Sequence, residues 1–305
     1  RFVTSKYISA LEAYNKVIEL KSVDADYAYF QKAICYGFVS KNDKKIEELN
    51  AFLQLYPKSE YRDDAFFELG NTYVAENKQD LAIKTYDKLN AEFKNGSFTS
   101  KAILRQGLVY YNADKDEQAL TKFKKVAADF PKTPEALEAV STARLIYVDN
   151  GKVDEYATWV RTLDFVAVTD AELDNDTYEA AEKQYLQNNI KQAISGFSSY
   201  VSKFPKGIHS LKANFYSAQM YFSDGQESKS VPNYEYVIEQ PRSEFTEQSL
   251  ARLAQIFLKI EDKSKAIPIL IRLESEADFP QNKTFAQSNL MKCYYETKDY
   301  PNSVV

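Results

Sequence analysis

The chain has 305 residues, 44% hydrophobic and 27% charged, with a formal net charge of -5, so it carries ample material for a folded core. Acids and bases are interspersed without a basic stripe, which argues against a nucleic-acid surface. The densest apolar run, Ala266 to Ile271, stops at Arg272, far short of the ~18 residues of a membrane span.

Gly (8) and Pro (9) are few beside 23 Tyr and 19 Phe, a balance that suits long helices packed in pairs. Taken in order, the elements repeat. Residues 5–20, with Ala10, Tyr14 and Val17, read as a lone second helix. From there a register mark, a small residue three before an aromatic, recurs at Ala33, Gly70, Gly107, Ala181, Ala218 and Ala254, with Arg144 and Met291 in the same place. Successive marks lie 37 residues apart, once 36. The aromatic is Tyr36, Tyr73, Tyr110, Tyr147, Tyr221, Phe257 or Tyr294; the fifth unit has Gln184 there, with Tyr185 beside it. Twelve past the mark sit Ala82, Ala119, Ala193 and Ala266, with Ser230 and Ser303 as small substitutes. Four further on come Leu49, Tyr86, Phe123, Val160, Phe197, Tyr234 and Leu270. A period in this range signals stacked repeats, each touching only its neighbours.

Each unit reads as two antiparallel helices. Small residues let the backbones approach where the helices cross, and the aromatics fill the space beside them. Seven past the mark, Asn77, Asp114, Gly151, Asn188 and Gly225 are residues that tolerate a left-handed turn. Three further on, Asp43, Asp80, Asp154, Ser228 and Ser264 are expected to cap the second helix. Lys41, Lys78, Lys115 and Lys152 lie between, near the negative end of the first helix. The second helix is expected to stop at Tyr56-Pro57, Phe130-Pro131, Phe204-Pro205 and Phe279-Pro280. Thr133-Pro134-Glu135 then starts a first helix, and Ser59 plays the same capping part. Over residues 164–176 the aromatic-Pro is missing and acids cluster, which reads as a variant inter-repeat turn or as a hinge between two sub-arrays. Residues 284–298 read as a lone first helix. Arg1 and Val305 both fall in mid-pattern, as in a fragment of a longer protein.

Leu69-Gly70-x-x-Tyr73…Ala82-x-x-x-Tyr86 resembles the tetratricopeptide repeat, as do Gly107, Tyr110, Ala119, Phe123 and Pro131. The resemblance covers the whole chain, with units about three residues longer than the standard 34. It implies an all-α solenoid, a right-handed superhelix of antiparallel helix pairs. Residues 1–305 would form a single array of about seven full repeats with partial repeats at both ends. The stretch from Tyr56 to Tyr73 and the recurring Phe-Pro-Lys are similar to two bacterial cell-envelope tetratricopeptide proteins. These are the coordinator protein of the Tol-Pal system and the lipoprotein of the outer-membrane β-barrel assembly machine. That likeness, clearest in residues 56–150 and 177–260, implies a bacterial, periplasmic or outer-membrane-associated protein that holds protein or peptide partners.

In this family the first helix of each unit lines the concave face, at positions three before, one after and four after the mark. The partner-binding set is then Phe30, Phe67, Asn71, Tyr111, Tyr178, Tyr185, Phe215, Gln219, Phe222 and Tyr295, an apolar stripe suited to a peptide or helix. The same side chains could instead pack against adjacent helices and leave the groove self-filled. The family's carboxylate clamp is not expected, because Asn71 has apolar neighbours in Phe67, Leu104 and Leu108.

Chemistry-bearing constellations are missing. Cys35 and Cys293 share a repeat position that takes a small apolar filler, so both read as buried free thiols. His209 is the single histidine, with no second ligand for zinc and no nucleophile to serve. The acid pairs Asp24/Asp26, Asp63/Asp64, Asp114/Asp116 and Asp174/Asp176 fall at turns or helix starts, where the helix dipole favours them. None has calcium-loop spacing. Trp159 is expected to pack. The expectation is a non-catalytic scaffold without cofactor or metal. The alternatives are a recruiting or regulatory arm of a larger enzyme or cytoplasmic complex, and a purely structural spacer.

Overall fold

A computed structural model of the chain describes residues 6–303. Ser5, the first residue of the expected opening helix, and the Ser303 side chain lie outside the described residues. Among the described residues there are sixteen α-helices and no strand. In chain order they are α1 (Tyr7–Glu19), α2 (Ala25–Phe38), α3 (Asn42–Leu55), α4 (Arg62–Ala75), α5 (Gln79–Glu92), α6 (Thr99–Tyr111), α7 (Asp116–Asp129) and α8 (Pro134–Asp149). There follow α9 (Val153–Val160), α10 (Asp170–Leu186), α11 (Ile190–Lys203), α12 (Ser210–Ser223), α13 (Glu227–Glu239), α14 (Thr246–Lys259), α15 (Lys263–Glu276) and α16 (Pro280–Glu296). Within the repeats, α2 packs on α3, α4 on α5, α6 on α7, α10 on α11, α12 on α13 and α14 on α15, while α1 packs on α2 and α16 on α15. No helix among the described residues is long and apolar enough to cross a membrane.

The chain clusters into two compact units: residues 1–146 with 159–167, and residues 147–158 with 168–305. In the first, Phe30, Leu49, Phe52 and Leu69 form one core cluster, and Phe66, Tyr86 and Leu89 the next. In the second, Tyr178, Phe197 and Tyr200 form a cluster, and Tyr234, Leu250, Leu253 and Leu270 belong to another.

The register explains the packing within each pair. A Cβ built on Gly70 would lie 2.4 Å from the Tyr86 ring, and one on Gly107 would lie 2.5 Å from the Phe123 ring. The mark is small because the aromatic sixteen residues later occupies its Cβ space. A second pair of positions, one before and fifteen after the mark, also joins the two helices. Lys32 Nζ is 2.7 Å from Glu48 Oε1, Lys122 donates to Gln106 at 2.8 Å, and Asn233 donates to Ser217 at 3.2 Å.

The turn seven past the mark is left-handed in every repeat. Asn77, Asp114, Gly151, Asn188 and Gly225 adopt it, and so do Ser40, Glu261 and Lys298. The geometry of the hairpin therefore imposes positive φ even on residues that disfavour it. Each second helix starts directly afterwards. Lys41, Lys78 and Lys115 occupy cap positions, without a side-chain cap hydrogen bond. Asp43, Asp80 and Asp154 lie one step inside, as first-turn acids. The expected caps are thus displaced by two residues. Asp262 does cap from this place, accepting from the Lys265 amide and from the Ser264 hydroxyl.

Tyr56, Phe130 and Phe204 end α3, α7 and α11, as their following prolines require. Pro280 differs: it opens α16 from the first turn, where the missing N–H costs nothing. The Thr133 hydroxyl accepts from the Ala136 amide and caps α8. Ser59 is not a cap; its hydroxyl accepts from the Tyr61 amide and donates to Asp26. That bond belongs to a series. Seven before the mark, an acid accepts from the loop that leads into the next repeat. Asp63 accepts from Ser97 at 3.5 Å, Asp174 from the Ile208 amide at 3.1 Å, and Glu247 from the Asp278 and Phe279 amides and Asn282. Burial alone would raise the Glu247 carboxyl, but these hydrogen bonds outweigh it and hold the group below the usual range.

The joint after α9 is irregular. α9 has 8 residues where most second helices have 14, and residues 161–169 are not helical. Thr169 and Glu172 then form a reciprocal capping box at the start of α10. Because α10 starts at Asp170, Asp174 and Asp176 sit inside the helix, where they are buried, and not at the turn or helix start expected of them.

Two substitutions should act with opposite sign in thermal or urea unfolding. Glu261→Gly relieves a left-handed turn and should stabilise by about 0.5–1 kcal/mol. Gly70→Ala improves helix propensity but collides with Tyr86, and should destabilise by about 2 kcal/mol.

Candidate functional site

In the first unit, α2, α4 and the first turn of α3 enclose a groove of about 480 Å³. α2 contributes Phe30, Ile34, Gly37 and Phe38; α4 contributes Asp64, Glu68 and Asn71. On each helix these lie a turn apart, on one face. One wall is therefore largely apolar and the other polar and acidic.

The opening comes from an exchange within the register. Four past the mark, the other repeats carry Val74, Tyr111, Val148, Tyr185, Phe222, Leu258 and Tyr295, but the first carries Gly37. Twelve past the mark, where Ala82, Ala119 and Ala193 stand, the first repeat carries Lys45. The Lys45 Cδ lies 3.0 Å from where a Gly37 Cβ would be, and its Nζ is 2.6 Å from Glu68 Oε2. The absence of a side chain at Gly37 lets a cation from the second helix pass to the neighbouring first helix.

The polar groups around the groove are unevenly satisfied. Asn42 donates to Glu76 at 2.7 Å. Asn71 accepts from the Tyr86 hydroxyl at 2.8 Å, and burial raises that phenol well above its ordinary range. Asp64 is half-buried. Desolvation first, then Asp63 and Glu68, push its carboxyl above the usual aspartate range. Among the described residues no cation pairs with it.

The ten expected groove residues separate into two groups. Phe30, Tyr178 and Phe215 are buried, and each is covered by a ring from the loop ahead of the next repeat. Phe30 stacks on Tyr61 at 6.0 Å and Tyr178 on His209 at 4.2 Å, while Phe215 meets the tilted ring of Phe245 at 4.4 Å. Phe67, half-buried, meets Phe98 in the same way at 4.9 Å. At these four repeats the position three before the mark packs between repeats, and the edge of Phe30 also floors the groove. Asn71, Tyr111, Tyr185, Gln219 and Phe222 are half-buried. Tyr185 lies 5.0 Å from Tyr216, and the Arg252 guanidinium lies 4.5 Å over Phe222. Tyr295 is exposed. Of the ten, only Phe30 and Asn71 come together in the groove.

The residues missed by sequence reading are Gln31, Phe38, Asn42, Lys45, Asp64 and Glu68. Their signal lay in the two departures from the register, Gly37 and Lys45.

Elsewhere, Tyr234 holds the place of Tyr86, but its buried hydroxyl has no hydrogen-bond partner among the described residues; Gln219 stands where Asn71 serves Tyr86. His209 sits at the cap of α12, its Nε2 3.0 Å from Asn175. Trp159 is half-buried against the first unit's core, with the Lys124 ammonium 5.6 Å over its ring. Cys35 and Cys293 are free and buried, and burial raises both thiols. In the second unit a cavity of about 360 Å³ opens beside α10 and α11, where the cross-helix pair of positions is reduced to Ala180 and Gly196.

A family model for the tetratricopeptide repeat matches residues 64–96 and 101–133. No curated protein matches the chain. Among solved structures, a tetratricopeptide repeat protein from Parabacteroides merdae is 14% identical, with a TM-score of 0.40, over 86% of this chain and 97% of that one. The C-terminal part of a TPR repeat-containing protein from Cytophaga hutchinsonii is 17% identical, with a TM-score of 0.45, over 83% and 96%. YrrB, described as a TPR protein with an unusual peptide-binding site, is 17% identical, with a TM-score of 0.41, over 67% and 98%. With the matched repeats, the 37-residue register and the helix pairs, the fold is an all-α tetratricopeptide solenoid.

The two groups of expected residues should respond differently to truncation. Tyr178→Ala, which leaves His209 without its stack, should cost about 3–5 kcal/mol in urea unfolding. Gln219→Ala should stay within about 0.5 kcal/mol. Equal costs would remove the distinction between packing and groove positions.

Proposed function

We propose that this chain is a scaffold that binds protein or peptide partners, and that the groove between α2 and α4 is a place where a partner segment lies. Tetratricopeptide repeats are typically non-catalytic binding modules, which supports the class of function. The observation that carries the site is the Gly37/Lys45 exchange. It opens about 480 Å³ with one apolar and one polar wall at a place where the other repeats carry a larger side chain. Ligand sites combine this kind of concave apolar surface with a few fixed polar groups.

The bacterial envelope setting, at the periplasm or outer membrane, is part of the same reading. It is supported by the Tyr56–Tyr73 motif and the recurring Phe-Pro-Lys, and fractionation of cells producing the native protein tests it. Recovery in the cytoplasmic fraction would remove it without touching the groove.

The groove itself is tested by selecting short random peptides on the immobilised chain, with Gly37→Leu as the counter-target. Leucine stands at this position in the seventh repeat as Leu258 and forms helix better than glycine, which offsets the displacement of Lys45 from Glu68, so the variant should melt near the wild-type temperature. It should also lose at least tenfold in affinity for the selected peptides. Selected peptides that bind wild type and Gly37→Leu equally would overturn the assignment.

A further inference from the structure

We infer that the α2–α4 groove takes a partner segment bearing a Lys or Arg next to an aliphatic or aromatic residue, with the stem on the α2 wall and the charge at Asp64. The inference rests on the groove reading above and specifies its ligand.

Three observations carry it. First, the two walls differ in kind: Phe30, Ile34 and Phe38 face Asp64 and Glu68. Lys and Arg complement such a pair of walls, because their methylene stems lie on apolar surface while the head stays with polar groups. Second, the protein already places a lysine this way. Lys45 runs its stem past Gly37 and ends on Glu68 at 2.6 Å. Third, Asp64 stands one turn before Glu68 on the same face and is left without a cation. Lys101 attracts it from a distance, but that ammonium lies 5.1 Å over the Phe98 ring.

Charge complementarity selects among partners. The groove holds two carboxylates and one ammonium, which already serves Glu68. An acidic segment would be repelled by Asp64, and a neutral one would leave a half-buried carboxylate unpaired. A basic one adds a charge-assisted hydrogen bond and offsets the repulsion among Asp63, Asp64 and Glu68.

The test uses peptides selected on the intact chain as described above. Each is resynthesised with its basic residue replaced by glutamine, and both forms are titrated against wild type and Asp64→Asn by fluorescence anisotropy. The expected peptides share a Lys or Arg beside an aliphatic or aromatic residue. The glutamine replacement and Asp64→Asn should each weaken binding about fivefold to tenfold. Together they should cost little more than either alone, since both remove the same pair. If the groove-dependent peptides lack a basic residue, or Asp64→Asn leaves affinity unchanged, the inference falls and the groove reading stands. If no peptide depends on an open Gly37, the groove reading fails and the inference goes with it.

Discussion

Each helix pair must hold the next, and in four of these joints the contact is a pair of rings. Three before the mark, a ring on a first helix meets a ring nine before the following mark. The pairs are Phe30 with Tyr61, Phe67 with Phe98, Tyr178 with His209, and Phe215 with Phe245. Such a pair adds about 0.5–1.5 kcal/mol beyond the area it buries. The two positions vary together. Where the second is Glu135, Glu172 or Asn282, the first is Leu104, Ser141 or Ala251. The acid latch seven before the mark, at Asp26, Asp63, Asp174 and Glu247, ties the same loop to the same helix. A repeat thus grips its successor with one apolar and one polar hand, and no single helix pair buries enough to stand alone.

The stack also decides where a partner could bind. Where rings close a joint, the stripe residue three before the mark is consumed by packing, as Phe30, Phe67, Tyr178 and Phe215 are. An opening needs a local departure from the pattern, and Gly37 with Lys45 is one. The large side chain moves from the first helix to the second, and the space it leaves is lined by groups that no repeat rule requires.

The architecture was legible because the register is strict. The mark, the sixteen-residue partner and the left-handed turn all lie where their spacing places them, and Ser40, Glu261 and Lys298 show geometry overriding residue preference. The helix caps were not legible at the same precision. A first-turn acid such as Asp43 or Asp80 carries the same composition signal as a cap, and only the turn geometry separates them. The site was less legible still. An aromatic three before the mark reads the same whether it faces a partner or a ring from the next loop, and Tyr61, Phe98, His209 and Phe245 were the missing half of that pattern. Asp64 and Glu68 escaped because their role depends on a gap in a neighbouring helix.

The paired rings have a consequence for how such arrays are inherited. A repeat can be cut out cleanly only if the breakpoints leave every ring facing its own mate. Removing residues 62–98 keeps Phe30 opposite Tyr61 and Leu104 opposite Glu135, whereas a cut of equal length at the hairpin turns, residues 77–113, would set Phe67 against Glu135. The exchangeable segment is therefore not the helical hairpin that secondary structure outlines. It is a frame shifted to begin just after the ring ahead of each first helix, and duplication or loss of repeats in chains of this kind should respect that seam.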